Sequence, residues 1–331
     1  VAPKLIITTT EKWEEKSLWF YNVNKDYGSF EYTEPIQEKT NEILEGATTE
    51  KDSIAKLTHW VADNIRYSGL SMGEGEGYTL HKGSMTFRDR CGVCKDKAGM
   101  LVTMLRAAGF ESYAAMTMAG SRIDRIPADQ FNHSITVVKL SDGEYHLLDP
   151  TWVPFVRELW SSLEQQQNYL MGLPEGADLM ITPISDPENH YLKIRGNSEL
   201  TEEGTLTGSF TLEAEGQSDA AIRRIFTSSY INTWMSNLES QLLAIHPRMK
   251  IHQADYGHPY DYLSGPLNIV VTYSIPDYAI ISDEEILITP FIASGIFKRA
   301  MSHLYIDVSL EERQYQFRDR CSREVSLSET V

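Results

Sequence analysis

The chain has 331 residues, 41% of them hydrophobic and 23% charged, and its 47 acidic side chains outnumber its 30 lysines and arginines to give a formal net charge of −17. This charge repels phosphate groups, which argues against a nucleic-acid partner, and no apolar run approaches the ~20 residues of a membrane-spanning helix. The length predicts two domains, and three cysteines are too few for a disulfide framework in a chain of this size.

The first half of the chain alternates predicted helices and strands. Apolar residues three and four apart predict helices over 35–47 and 48–67. Residues 68–90 are rich in glycine and have no sustained period, so they are predicted to form a long loop of the kind that often carries function. The next segment predicts the clearest helix, with one apolar face and an end at Gly109, a typical residue after a helix C-terminus. Strands are then predicted over 110–118, 131–140 and 144–152, and a helix over 156–172.

Beyond about residue 195 the pattern changes. The segments TLTGSFTLEAEG, LNIVVTYSI and EEILITPF alternate as strands do, and one helical segment, DAAIRRIFTSSYINTWMSNLESQLLA, interrupts them. We therefore divide the chain into residues 1–195 and a second, mostly β domain over residues 196–331.

Two cysteines, Cys91 and Cys94, stand three residues apart at the start of the clearest helix. A thioredoxin-type dithiol normally follows a strand, whereas a polar, glycine-rich loop precedes this pair. A zinc site could add His81 or His133, but the second pair of ligands that structural zinc needs is not evident. The pair could also be two small buried hydrophobes, since free cysteine often packs this way. None of these interpretations uses both the histidine and the aspartate that follow.

The fourth interpretation makes Cys94 a nucleophile. A helix N-terminus favours negative charge, so a thiol there ionises more readily, and its unpaired N–H groups can stabilise an oxyanion. A base and an orienting carboxylate are also needed. His133 and Asp149 supply them if a three-residue loop, 141–143, pairs Leu140 with Glu144, because the two side chains then share a face of the hairpin. A two-residue turn would put them on opposite faces.

These residues carry a family resemblance. GVCKDKAGMLVTMLRAAGF resembles the Cys segment of the bacterial transglutaminase-like superfamily, FNHSITVV its His strand, YHLLDPTW its Asp-Pro-Thr strand and HWVADNIRY the end of its preceding helix. The order Cys94, His133, Asp149 is also that of the family, and the resemblance covers roughly residues 35–155. More loosely, residues 1–33 look like the tail of a preceding β-rich domain, and the region from about residue 200 resembles the β-rich region that follows the core.

The resemblance implies an α+β fold with a papain-like core, in which the helix carrying the cysteine packs on an antiparallel sheet. It implies a catalytic triad in which Cys94 attacks an acyl donor, His133 acts as base and then as acid, and Asp149 orients the imidazole. The expected enzyme is a cysteine peptidase or a transglutaminase-like acyltransferase that acts on a peptide or protein substrate, is periplasmic or secreted, and needs no metal or organic cofactor.

Three further residues are candidates for the site. Tyr67 and Trp152 are expected to wall the acyl site, although aromatic residues beside strands often belong to the core. Cys91 stands where relatives usually have another residue, so a reversible disulfide with Cys94 is a regulatory hypothesis. Two other functions stay open: a non-catalytic binding or scaffold module for a cell-envelope or extracellular polymer, and a CxxC thiol oxidoreductase that works without His133.

Overall fold

The structure is a computed structural model that describes residues 5–69, 77–154, 156–292, 295–298, 300–301, 312 and 321–331. The chain divides into two compact units, Val1–Pro154 with Glu158–Ile184 and Phe155–Arg157 with Ser185–Val331. The division falls earlier in the chain than the boundary expected at 195/196. No helix among the described residues combines the length and apolar character needed to cross a membrane.

Unit 1 is built from helices and short strands. Its helices are α1 (Trp13–Tyr27), α2 (Glu34–Ile43), α3 (Glu50–Asn64), α4 (Gly83–Asp89) and α5 (Cys94–Ala107). Its strands are β1 (Arg66–Tyr67), β2 (Cys91–Gly92), β3 (Ser112–Thr117), β4 (His133–Lys139), β5 (Tyr145–Leu148), β6 (Asn168–Met171) and β7 (Met180–Ile181). The mixture of helices with an antiparallel sheet confirms the predicted α+β class.

Helix α5 is the centre of unit 1. Every residue from Asp96 to Leu105 is buried, so the helix is enclosed on all its faces rather than on one apolar stripe. One face packs on the five-stranded antiparallel sheet, whose strand order is β5-β4-β3-β6-β7. Gly109, with φ +87°, follows the helix in the left-handed conformation expected of a residue at that position. This enclosure fixes the position of the helix start, where Cys94 lies.

Three predictions for this unit were wrong. Residues 156–172, predicted as a helix, instead contain a single 3₁₀ turn, Ser162–Glu164, and strand β6. The predicted loop over 68–90 contains helix α4, and its residues 70–76 lie outside the described residues. Residues 13–27 form a helix rather than the tail of a β domain.

Helix α1 packs on β6, and its buried residues follow a helical period that the sequence analysis did not identify. Trp13, Ser17, Phe20 and Asn24 are its buried residues and recur at spacings of three and four, as on one face of a helix. The Ser17 hydroxyl donates to the carbonyl oxygen of Met171 at 2.5 Å. Because Ser17 and Asn24 are polar, a search for apolar residues alone does not show this helical period.

Unit 2 has its own core. Its strands are β8 (Leu192–Leu200), β9 (Leu206–Ala214), β10 (Lys250–Asp255), β11 (Leu267–Ile275), β12 (Ile280–Ile281), β13 (Ile286–Leu287) and β14 (Val325–Thr330), and its helices are α6 (Gly216–Thr227) and α7 (Trp234–Leu243). The main sheet has the order β10-β11-β9-β8-β14 and is antiparallel except for the parallel pair β8 and β14.

The one long helix predicted for unit 2 is two helices, α6 and α7. Ser228 and Ser229 donate their hydroxyls to main-chain carbonyls of the preceding turn, which competes with continuation of α6. The predicted strand EEILITPF is reduced to β13, two exposed residues paired with β12.

Candidate active site

The N-terminus of α5 is shaped by Gly92 and Asp96. One carboxylate oxygen of Asp96 accepts the main-chain N–H of Val93 at 2.9 Å, which satisfies a donor at the helix start. The other lies 3.1 Å from Nδ1 of His81. A Cβ at position 92 would stand 2.4 Å from the Cβ of Asp96, so the glycine makes room for this carboxylate. The Gly-x-Cys-x-Asp pattern is thus a local device that fixes the helix start beside Cys94.

The β4–β5 hairpin has the predicted loop. Val137 pairs with Leu147, the N–H of Leu140 donates to the carbonyl of Glu144 at 2.9 Å, and Gly143 takes the left-handed conformation with φ +89°. The three-residue loop is therefore confirmed, and a two-residue turn is excluded. This register puts the first residue of β4 and the residue after β5 on the same face of the sheet.

His133 and Asp149 meet on that face. Nε2 of the imidazole lies 2.8 Å from Oδ2 of Asp149, and both side chains are buried. The other carboxylate oxygen accepts the N–H of Thr151 at 2.9 Å, and the N–H of Asp149 donates to the carbonyl of Leu159 at 2.8 Å. Because these contacts fix the carboxylate, they also fix the ring orientation and leave Nδ1 free to face another group.

Cys94 is that group. Its thiol and the His133 side chain share a hydrogen bond. Burial, the largest single influence, acts to raise the pKa of the Cys94 thiol, while the hydrogen bond and charge of His133 act to lower it. The main-chain N–H groups of Ser134 and Lys95 add to that effect, and the pKa lies below its ordinary value. The arrangement favours a thiolate paired with an imidazolium.

The pKa of His133 moves in the opposite direction. Burial, the largest single influence, acts to lower it, while the charge and hydrogen bond of Asp149 act to raise it. The hydrogen bond with Cys94 and the charge of Glu164 act in the same direction, and together they raise the pKa of the imidazole to about 11. The two shifts agree, because each charged partner stabilises the charge on the other.

Glu164 was not recognised from the sequence. Its carboxylate lies with His133 and Asp149 in a buried group in which one nitrogen or oxygen atom from each residue lies within 4.8 Å of the others. Among the described residues this is the group of side chains that could hold a metal ion. The 2.8 Å separation of His133 Nε2 and Asp149 Oδ2 is that of a direct hydrogen bond, so a proton lies between these two atoms. This glutamate lies in SSLEQQQ, within the segment predicted to be a helix, and the sequence gave no signal of its role.

The other three candidate residues, Tyr67, Trp152 and Cys91, also lie near Cys94 or His133 in the fold or chain. Tyr67 is an exposed residue of β1, and its hydroxyl oxygen accepts the main-chain N–H of Cys94. Burial and the nearby Cys94 charge raise the pKa of the Tyr67 phenol. The indole of Trp152 is half exposed and meets the His133 ring edge-on, with ring centroids 6.1 Å apart. Cys91 is a partly buried free thiol paired with Arg66 in the short β1–β2 ladder, and Cys94 and Cys321 are also free. The regulatory disulfide stays a prediction.

A cavity of about 470 Å³ opens beside this group and is lined by Cys94, His133 and Ser134 together with Phe20 of α1. The site therefore combines a thiol at a helix start, an imidazole and carboxylate on an adjoining sheet, and a cavity where a substrate can approach the sulfur. These features define an α+β protein with a Cys-His-Asp site.

Residues 37–154 match the sequence model of the transglutaminase-like superfamily, which confirms the resemblance for this part of the chain. No curated protein matches the chain.

Three solved structures resemble the chain. A candidate cysteine protease from Cytophaga hutchinsonii is 18% identical over 40% of this chain and 43% of its own, with a TM-score of 0.31. A candidate protease from Parabacteroides distasonis is 13% identical over 86% of this chain and 56% of its own, with a TM-score of 0.41. The periplasmic domain of TgpA from Pseudomonas aeruginosa, bound to ethylmercury, is 18% identical over 36% of this chain and 44% of its own, with a TM-score of 0.29. The chain thus aligns with about half the length of each.

Proposed function

We propose that this protein is a cysteine-dependent acyl-transfer enzyme that acts on peptide or amide bonds. The observation that carries the proposal is the continuous hydrogen-bonded series from Cys94 through His133 to Asp149, with the sulfur at a helix start and beside a cavity. A packed structural cysteine would not need an imidazole oriented by a buried carboxylate.

In the first step the Cys94 thiolate attacks the carbonyl carbon of the substrate. The negative charge that develops on the carbonyl oxygen lies near the helix N-terminus, where the Tyr67 hydroxyl, whose oxygen accepts the N–H of Cys94, can donate its own proton to it. The imidazolium of His133 then gives its Nδ1 proton to the departing amine, the C–N bond breaks and a thioester remains.

In the second step neutral His133 takes a proton from the attacking nucleophile. Attack by water releases a carboxylic acid, and attack by a primary amine forms a new amide; either way the C–S bond breaks and the thiolate returns. Asp149 keeps the ring oriented and stabilises its positive charge in both steps. On the family resemblance we also propose a periplasmic or secreted location for the protein.

The test is the reactivity of Cys94 towards iodoacetamide, measured residue by residue with mass spectrometry across pH. We expect Cys94 to react much faster than the buried Cys321 near neutral pH, and His133→Asn to slow the reaction of Cys94 strongly because the thiolate loses its charged partner. His146→Asn, which changes an exposed histidine of the same hairpin, is the matched control.

Equal reactivity of the cysteines, or full reactivity in His133→Asn, would contradict the proposal. The second result is also what a CxxC oxidoreductase would give. A peptide library incubated with and without a primary amine then separates hydrolysis from amide transfer.

A further inference from the structure

The cavity beside Cys94 has large apolar walls. Phe20, Leu80 and Met116 line it and are almost completely buried, while Tyr78 and Phe131 line it and are partly exposed. These side chains come from α1, from the segment before α4, from β3 and from the segment before β4. Removing water from such walls favours an apolar ligand group.

Two tryptophans of α1 pack against the aromatic residues that line the cavity. The ring of Phe131 meets that of Trp13 edge-on at 5.9 Å, and the ring of Tyr78 meets that of Trp19 edge-on at 5.6 Å. A Cβ at Gly172 would lie 2.8 Å from the Phe20 ring, so the sheet also closes tightly around that side chain. The cavity is therefore preformed, which lowers the entropy cost of binding.

The cavity offers little to a charged ligand group. Lys95 lines it, but its Nζ donates to the main-chain carbonyls of Gly77 at 3.1 Å and of Thr79 at 2.9 Å. Within the described part of the chain no carboxylate lines it. The His133 imidazolium also lines the cavity, but it is already paired with Cys94 and Asp149. A charged side chain would lose its hydration here without an uncommitted counter-charge, which is costly.

A second cavity, of about 770 Å³, adjoins the first, because Phe131 and Asn132 line both. Its lining is more polar and includes Thr8, Lys16 and Arg122. An apolar cavity with a more polar one beside it suits an extended peptide, with one side chain in the first cavity and the main chain directed towards the second.

We propose, resting on the proposed function, that the acyl donor is a peptide with a bulky apolar side chain that binds in the pocket formed by Phe20, Tyr78, Leu80, Met116 and Phe131. Helix α1 thus supplies part of the specificity of the site. The pocket does not suit an acidic side chain at that position.

The test uses dipeptidyl chloromethyl ketones that end in Phe, Ala or Asp. The Cys94 thiolate displaces chloride, so an S–C bond forms as the C–Cl bond breaks, and mass spectrometry gives the rate at Cys94. We expect the Phe reagent to react about tenfold or more faster than the Ala and Asp reagents. Similar rates for the three reagents would overturn this inference.

Single substitutions test whether the preference for the Phe reagent arises in this pocket. Phe131→Ser and Tyr78→Ser are each expected to reduce the ratio of the Phe rate to the Ala rate several-fold, whereas Tyr32→Ser, the loss of an exposed aromatic residue outside the pocket, should keep it. An unchanged ratio in both pocket variants would contradict the assignment. Iodoacetamide, which has no side chain to place, separates the two proposals: a fast, His133-dependent reaction without Phe preference rejects only the pocket, and a slow reaction rejects the enzyme.

Discussion

At the scale of single residues, the site depends on a histidine that holds a proton between a sulfur and two carboxylates. Asp149 contacts the ring directly, while Glu164 lies close by and contributes through its charge. A buried imidazolium with these neighbours keeps its proton over the whole physiological range. The thiolate of Cys94 is stabilised by the same proton, so the carboxylates act on the sulfur through the ring.

Glu164 therefore offers a test at this scale. Because its charge helps to raise the pKa of His133, Glu164→Gln should lower that pKa, and Asp149→Asn, which removes the charge in direct contact with the ring, should lower it further. The measurement is the titration of the His133 ring nitrogens by NMR with labelled histidine. Glu144→Gln, a change of an exposed carboxylate in the same hairpin, is the control. A His133 titration identical in Glu164→Gln and the unmodified protein would show that this charge does not act on the ring.

At the scale of elements, Lys97 ties α5 to the end of α3. Its ammonium is buried and donates to the main-chain carbonyls of Ala62 at 2.9 Å and Ile65 at 2.8 Å. Burial lowers its pKa from 10.5 to about 8, partly opposed by the charges of Asp149 and Asp63. The link satisfies carbonyls at a helix C-terminus, where cations are favoured.

This link predicts a pH dependence of stability. Between pH 8 and 10.5 the unfolded chain binds the Lys97 proton more readily than the folded chain does, so the free energy of unfolding rises with pH. The stability that this group contributes is present above its unfolded pKa and is lost as the pH falls through its folded pKa. The difference between the unmodified protein and Lys97→Met should rise across that window, by on the order of 3 kcal/mol if the window is fully covered.

Denaturant unfolding at several pH values from about 7.5 upward measures this difference. Lys51→Met, at an exposed position of α3, reports what the loss of a lysine does by itself. A difference curve for Lys97→Met that stays flat or falls as the pH rises would contradict the prediction.

At the scale of the whole molecule, each unit has its own buried cluster. The core of unit 2 gathers around β9, β11 and α6, and beside it a buried ion pair joins Asp219 to Arg223 at 2.7 Å. Asp219 also accepts the N–H of Leu267 at 2.8 Å. The guanidinium donates to the carbonyls of His258 and Gly265, at 2.8 and 2.9 Å, and so anchors the loop before β11. We propose that the two units are separate domains, as the length of the chain and the change of sequence pattern near residue 195 also indicate.

Asp219→Asn tests this proposal. It leaves a buried guanidinium without its counter-charge, which typically costs about 3–5 kcal/mol. If the units are separate domains, amide hydrogen exchange should accelerate in peptides from unit 2, while exchange in α5 and the alkylation rate of Cys94 stay unchanged. Asp283→Asn, at an exposed carboxylate of the same unit, is the control. Equal acceleration in α5 would show one cooperative unit.

Much of the site was predictable because its signals are local. The helix start at Cys94 follows from a short motif and a regular apolar period, and the hairpin loop set the register that brings His133 beside Asp149. The prediction of a helix over 156–172 was wrong because strand pairing, which depends on distant residues, decides the structure of its last residues. Its apolar residues can be read at helical spacing, but pairing with β3 and β7 draws the last of them into β6.

By itself, the sequence determined the features encoded within a few residues: the start of α5, the loop of the β4–β5 hairpin and the order of cysteine, histidine and aspartate. The α+β class followed from the family resemblance that these residues carry. Only the tertiary structure decided that Glu164 approaches the histidine, that Tyr67 reaches the amide of Cys94, and that α1 walls the cavity. These residues come from segments far apart in the chain. Their positions follow from how buried surfaces pack against one another, and the period of a single segment does not contain that information.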